Sequence, residues 1–161
     1  MIYLIDGYNL LFQTQGRVKS LERQRIKCLD YLKPFSLDLS MIIVFDGAAD
    51  LFQQTKRSHQ QDLEIVYTSE TESADDYIIS FLDTVRTPQL YTVVSSDRHL
   101  LKQARDRKAH IKEVQDFFTF LDMRNKKKHR SSEKIQQESP YEIQRLRAIF
   151  EKNTLNGAVE R

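Results

Sequence analysis

The chain has 161 residues, is 40% hydrophobic and 30% charged, and carries only 4 Gly and 3 Pro. That composition suits one domain with a full core and excludes collagen-like, linker-rich and disordered classes. Formal net charge is +2 but unevenly placed: residues 1–123 hold 15 Lys/Arg against 18 Asp/Glu, and residues 124–161 hold 10 against 5. An acidic body with a basic tail is odd for a small-molecule enzyme and suits a protein that approaches a polyanion.

The first element is a strand over residues 2–5, apolar for five residues from Met1 and lacking the basic start of a signal peptide. Residues 18–35 follow with a helical stripe of Val18, Leu21, Leu29, Leu32 and Phe35. Cys28, the single cysteine, falls on that stripe; it is expected to be buried and inert, excludes an internal disulfide and fits a reducing cytoplasm. A second strand is expected over 41–45. Residues 47–62 are polar and glutamine-rich and read as a loop or short helix. A third strand covers 63–67, a helix 74–86 (Ala74, Ile78, Phe81, Leu82, Val85), a fourth strand 90–94, a helix 98–108 (Leu100, Leu101, Ala104) and a weaker strand 110–114. Short continuous apolar runs are the signature of parallel strands covered on both faces. Their alternation with helices predicts βαβ units. Residues 124–139 are a charge run expected to be exposed and mobile, and Pro140 opens a last amphipathic helix with Ile143, Leu146, Ile149 and Phe150. No apolar stretch approaches the ~20 residues of a membrane span.

Four aspartates stand where an apolar run ends or a helix begins: Asp6 in Ile5-Asp6-Gly7-Tyr8-Asn9, Asp46 in Phe45-Asp46-Gly47, Asp75 in Ser73-Ala74-Asp75-Asp76, and Asp97 in Ser95-Ser96-Asp97-Arg98. In an open parallel sheet the carboxyl ends of the strands share one edge, and ligands bind there. The four carboxylates would then converge, and each would raise the pKa of the others unless a cation intervenes. An all-oxygen site favours Mg²⁺ or Mn²⁺. Each aspartate also has a purely structural role open to it: Asp6 and Asp97 as helix caps, Asp46 as a turn residue, Asp76 with Ser73 as a capping box. At ~100° per residue Asp75 flanks the apolar stripe while Asp76 points to water, so Asp75 is the site candidate of the pair. Gly7 gives a sharp turn, with Asn9 in the same loop; Ser95 and Ser96 put hydroxyls on the same edge. Asp6→Asn should leave the fold intact or more stable, because like-charge repulsion is relieved. The four histidines lack zinc spacing, and no nucleophile elbow, dinucleotide loop or Walker loop is present.

Taken in order, Asp-Gly-Tyr-Asn, Phe-Asp-Gly, Ser-Ala-Asp-Asp and Ser-Ser-Asp-Arg resemble the YacP-like branch of the NYN domain family, within the PIN-like nucleases. The resemblance spans roughly residues 1–123. It implies a PIN-like three-layer α/β/α sandwich around a mainly parallel sheet, and Mg²⁺- or Mn²⁺-dependent endoribonuclease activity. Asp6, Asp46, Asp75 and Asp97 map onto the family's acidic cluster, with Asn9 in the first motif and Ser95 and Ser96 placed to orient it. Where the family often has Asp-Glu, this chain has Asp75-Asp76. The expected organisation is a nuclease domain over 1–123, a basic segment over 124–139 and a helix and tail over 140–161. The expected partner is RNA, with the ribosome admitted, and neither membrane nor DNA as main substrate. Lys56, Arg57 and Arg98 are the candidates to hold the phosphate backbone, joined by Arg124, Lys126, Lys127, Lys128 and Arg130 in the tail. Tyr8 is placed either to stack on a base or to pack locally. The alternative is a non-catalytic RNA-binding or ribosome-docking module of the same fold.

Overall fold

A computed structural model describes residues 1–14, 20–47, 56–60 and 63–128. Six strands form one sheet: β1 (Ile2–Asp6), β2 (Ser40–Phe45), β3 (Lys56–Gln60), β4 (Leu63–Tyr67), β5 (Tyr91–Val94) and β6 (His110–Lys112). Their order is β3-β4-β2-β1-β5-β6, with β3 antiparallel to β4 and every other pair parallel. The chain leaves β1 toward β2 and β4 on one side and returns to β5 and β6 on the other. The carboxyl ends of β1, β2 and β5 therefore border the switch point where an open α/β sheet binds its ligand.

Four helices cover the sheet: α1 (Gly7–Thr14), α2 (Leu21–Leu32), α3 (Ala74–Thr84) and α4 (Arg98–Asp106). Strand side chains alternate between faces, and both faces are apolar. Leu4, Ile42, Val44, Val66 and Val93 pack with Ala74, Ile78 and Leu82 of α3 and Leu100, Leu101 and Ala104 of α4. Tyr3, Ile5, Met41, Ile43, Phe45 and Ile65 are buried on the opposite face. There α1 contributes Leu10 and Leu11, and α2 contributes Cys28, Leu29 and Leu32, all buried. The result is the α/β/α sandwich expected from the strand–helix alternation. Cys28 is buried among these apolar groups, which pushes its thiol up to about 12, so it stays a protonated, inert core residue.

Several elements depart from the sequence expectations. The polar stretch 47–62 contains β3, an edge strand. It holds to β4 by backbone hydrogen bonds, and Arg57, Ser58 and His59 are exposed, so no apolar pattern announces it. Residues 7–9 are the first turn of α1 and not a loop. Leu21, placed on the buried stripe, is 48% exposed because it opens α2 at the domain's rim. Leu90 and Phe35 belong to short 3₁₀ turns. Val114 is helical and not part of β6: residues 114–119 form a helix that closes the first compact unit, Met1–Thr119. Phe117 is buried there, with its ring 5.2 Å from that of Tyr3. The second unit, Phe120–Arg161, is described over residues 120–128. These are helical, where the charge run suggested a mobile segment; Lys126, Lys127 and Lys128 are exposed and Arg124 lies over the Phe120 ring at 5.6 Å. Val18, Arg130, the rest of the segment 124–139 and the helix opened by Pro140 lie outside the described residues.

Gly7 is required by a close approach. A Cβ there would meet the Cδ1 and Cε1 atoms of Phe45 and would lie 2.9 Å from the Val44 carbonyl oxygen. Phe45 is fully buried and cannot move aside freely. Gly7→Ala should therefore lower stability by about 1–3 kcal/mol, the usual range for overpacking, and denaturant unfolding of the variant measures it. An unchanged midpoint would mean that α1 shifts away from β2 without cost.

Candidate functional site

The four aspartates are brought to one sheet edge, each by a helix start. Asp6 ends β1 and is 3% exposed. Its Oδ1 accepts the Asn9 backbone N–H at 3.2 Å, which caps α1. Its Oδ2 accepts from the Asn9 side-chain amide and from the Ser95 hydroxyl, the latter at 3.1 Å. Ser95 Oγ in turn accepts the Asp97 N–H at 3.0 Å. Ser95 is fully buried, so the ends of β1 and β5 are tied by one carboxylate–hydroxyl–amide chain.

Asp97 caps α4, its Oδ1 accepting the N–H groups of His99 (2.6 Å) and Leu100 (3.1 Å). Asp46 leaves β2 exposed and reaches across to α3, where Oδ1 accepts the Ala74 N–H. Ser73 caps the same helix: its Oγ accepts the Asp76 N–H at 3.0 Å and donates to the Asp76 carboxylate at 2.7 Å. Asp76 is exposed and Asp75 half-buried, as the helical geometry predicts.

Asp75 differs from the rest. It has no donor among the described residues, yet it sits where the other three carboxylates converge. Burial pushes its carboxyl up to about 6, and the charges of Asp6, Asp97, Asp46 and Asp76 add to that rise. The expectation that Asp6→Asn leaves stability unchanged or raised is corrected by the contacts of Asp6. Asp6 accepts from three donors, so Asp6→Asn would turn an NH₂ toward groups that donate and should cost stability.

Hard oxygen donors at a strand edge suit Mg²⁺ or Mn²⁺. Among the described residues no three acid, histidine or cysteine side chains stand close enough to enclose one ion. The carboxylate oxygens without a donor among the described residues are those of Asp75 and the Oδ2 atoms of Asp46 and Asp97, whose Oδ1 atoms cap helices.

The basic candidates divide. Arg98 is exposed beside Asp97. Arg57 is engaged in the fold: it donates to the Tyr77 hydroxyl at 2.7 Å and pairs with Glu64 at 3.5 Å. Ser96 is half-buried at the same edge; the side chain of Lys56 is not among those described. A residue that sequence reading missed is Arg25 of α2. Its guanidinium donates to the Tyr8 hydroxyl and lies 5.5, 5.8 and 5.8 Å from the ring centres of Tyr8, Phe45 and Tyr67. Its Nε is buried without a hydrogen-bond partner among the described residues. Tyr8 stacks on Phe12, which is 69% exposed. The available signal was a charged residue at a stripe position between Leu21 and Cys28.

A family model, the YacP-like NYN domain, matches residues 3–156, well past the residue 123 at which the motifs stop. Two crystal structures of Rae1 (YacP) from Bacillus subtilis share the fold. The W164L mutant superposes with a TM-score of 0.65 at 20% identity, covering 84% of this chain and 83% of that one. The other has a TM-score of 0.63 at 21% identity, covering 96% and 92%. No curated protein matches the chain.

A folded-state pKa near 6 for Asp75, above the ordinary carboxylate value, fixes the sign of its linkage to stability. The folded protein holds this proton more tightly than the unfolded chain does. Its contribution is therefore fully present at low pH and is lost as pH rises from about 4 through about 6. In metal-free buffer, Asp75→Asn should raise Tm at pH 7.5 and flatten the fall between pH 4 and 6; thermal melts across that range test it. A variant less stable than wild type at pH 7.5 would show that Asp75 is not the strained member.

Proposed function

Because the chain belongs to the YacP-like NYN domain family, whose members are RNases, we propose that it is a divalent-metal-dependent endoribonuclease that hydrolyses RNA phosphodiester bonds at the Asp6–Asp46–Asp75–Asp97 edge. The observation that carries the proposal is Asp75, a half-buried carboxylate without a donor among the described residues, with its pKa raised by burial and by the acids around it. A cation bound there would relieve the negative charge gathered on it.

In this reading Asp75 would hold Mg²⁺ or Mn²⁺ together with an open oxygen of Asp46 or of Asp97. The bound cation supplies Lewis acidity and a more acidic water, so no side-chain nucleophile is needed. The protein's own work is placement. Asp6 keeps Ser95 and the Asn9 turn in register. Ser95 fixes the Asp97 N–H, and the caps on α3 and α4 hold Asp46 and Asp97 at the edge. Arg98, one residue beyond Asp97, offers a cation to the phosphate next to the reacting one. Lys126, Lys127 and Lys128 add sequence-independent attraction to the strand. The site of action is the cytoplasm and the substrate RNA, free or on the ribosome.

The deciding experiment incubates purified protein with cellular RNA and Mn²⁺, with and without chelator. Asp75→Asn should reduce cleavage by orders of magnitude and abolish the Mn²⁺-induced rise in Tm. Asp76→Asn should keep cleavage within about tenfold and lose only the ~1 kcal/mol of a cap interaction. Undiminished cleavage in chelator or in Asp75→Asn would overturn the proposal. RNA binding by wild type without cleavage would favour the non-catalytic module.

Replacing Lys126, Lys127 and Lys128 with Gln should weaken RNA binding and reduce its salt slope by about 0.7 for each single-strand phosphate that is no longer neutralised. The rate at saturating RNA should stay the same. Affinities at two or more salt concentrations read this out; identical slopes would remove these lysines from the RNA interface.

A further inference from the structure

The outer face of α4 has a feature that the acidic site does not use. Arg98, Lys102 and Arg105 recur at i, i+4 and i+7, so they share one side of the helix. They border a cleft of about 290 Å³ completed by Leu101, Ile111 and Glu113. All three cations are exposed, and none forms an ion pair among the described residues. Pairing is available on this same helix end where an acid is supplied: Arg107 grips Asp83 at 2.7 and 3.1 Å. The cleft instead has three cations against one carboxylate. Residues 98–112 hold six Lys/Arg and one Asp/Glu, although residues 1–123 as a whole are net acidic. A solvated helix face usually mixes both signs; this one is basic, concave and begins beside Asp97.

Resting on the nuclease reading of the site, we propose that this cleft is the track by which the RNA backbone leaves the acidic edge. Arg98 meets the phosphate next to the reacting one, and Lys102 and Arg105 take those further along the strand. From residue 98 to residue 105 the helix rises about 10 Å, more than one nucleotide step of a strand. The apolar floor of Leu101 and Ile111 offers sugar contacts and no base-edge donors, so the track reads charge and not sequence. Tight capture is separated here from chemistry: an acidic centre repels the polymer, and an adjacent basic rail holds it in place.

The test uses Lys102→Gln/Arg105→Gln in the full chain. A control, Arg23→Gln/Lys27→Gln, removes two cations from α2 and changes net charge equally. Binding of a labelled single-stranded oligoribonucleotide is measured in chelator, so that the strand survives, at several salt concentrations. The α4 variant should raise Kd on the order of tenfold at low salt and reduce the salt slope by about 1.4, two phosphates at about 0.7 each. The control should change neither by more than about twofold. With Mn²⁺ restored, the cleavage rate at saturating RNA should match wild type. An unchanged Kd and slope, or an equal change in the control, overturns the track; a docking surface for an acidic protein would give the first of these results. If wild type cleaves while the α4 variant binds normally, only the track fails. If wild type binds through α4 without cleaving, only the nuclease reading fails. If wild type binds no RNA, both fail.

Discussion

Backbone N–H groups at helix starts are what allow four carboxylates to share one sheet edge. Asp6 caps α1, Asp97 caps α4, and Asp46 reaches from β2 to the first amide of α3. Each exchange satisfies an orphan donor and places negative charge at the positive end of a helix. The same hydrogen bonds lock the strand ends to the helices that follow, so the acidic edge and the sandwich are stabilised together. The caps and the acidic edge are therefore one arrangement of hydrogen bonds.

Asp75 is the exception. It lies one residue inside α3, where the Ala74 and Asp76 N–H groups are already taken by Asp46 and Ser73. It is left to carry burial and the charge of its neighbours. A fold can tolerate one such group at modest cost; it could not leave all four uncompensated.

The ends of β2 and β4 and the first turn of α1 carry aromatic rings. Gly7 lets Phe45 come close, Phe45 packs edge-on to Tyr8 and stacks with Tyr67, and Arg25 sits against all three rings. Ring faces hold such a cation without a carboxylate. On α4 the exposed basic face begins one residue beyond Asp97.

The strands 2–5, 41–45 and 63–67 were legible in the sequence because burial on both faces demands unbroken apolar runs. The helices α3 and α4 were legible because their stripes face a core. The acidic positions could be named for a related reason: motifs at strand ends are local, and the topology of an open sheet gathers strand ends by itself. The polar edge strand β3 escaped notice because backbone pairing at an edge needs no apolar pattern. The helix that starts at Val114 was missed because Val114 reads as the end of the strand before it. Which aspartate lacks a donor, that Ser95 bridges two of them, and that Arg25 crosses from mid-helix to the rings around Tyr8 depended on contacts between residues 17 to 89 positions apart. Sequence determines what each residue can offer; only the tertiary structure decides which offers are already taken, because a donor is used up by whichever acceptor the fold brings within about 3 Å.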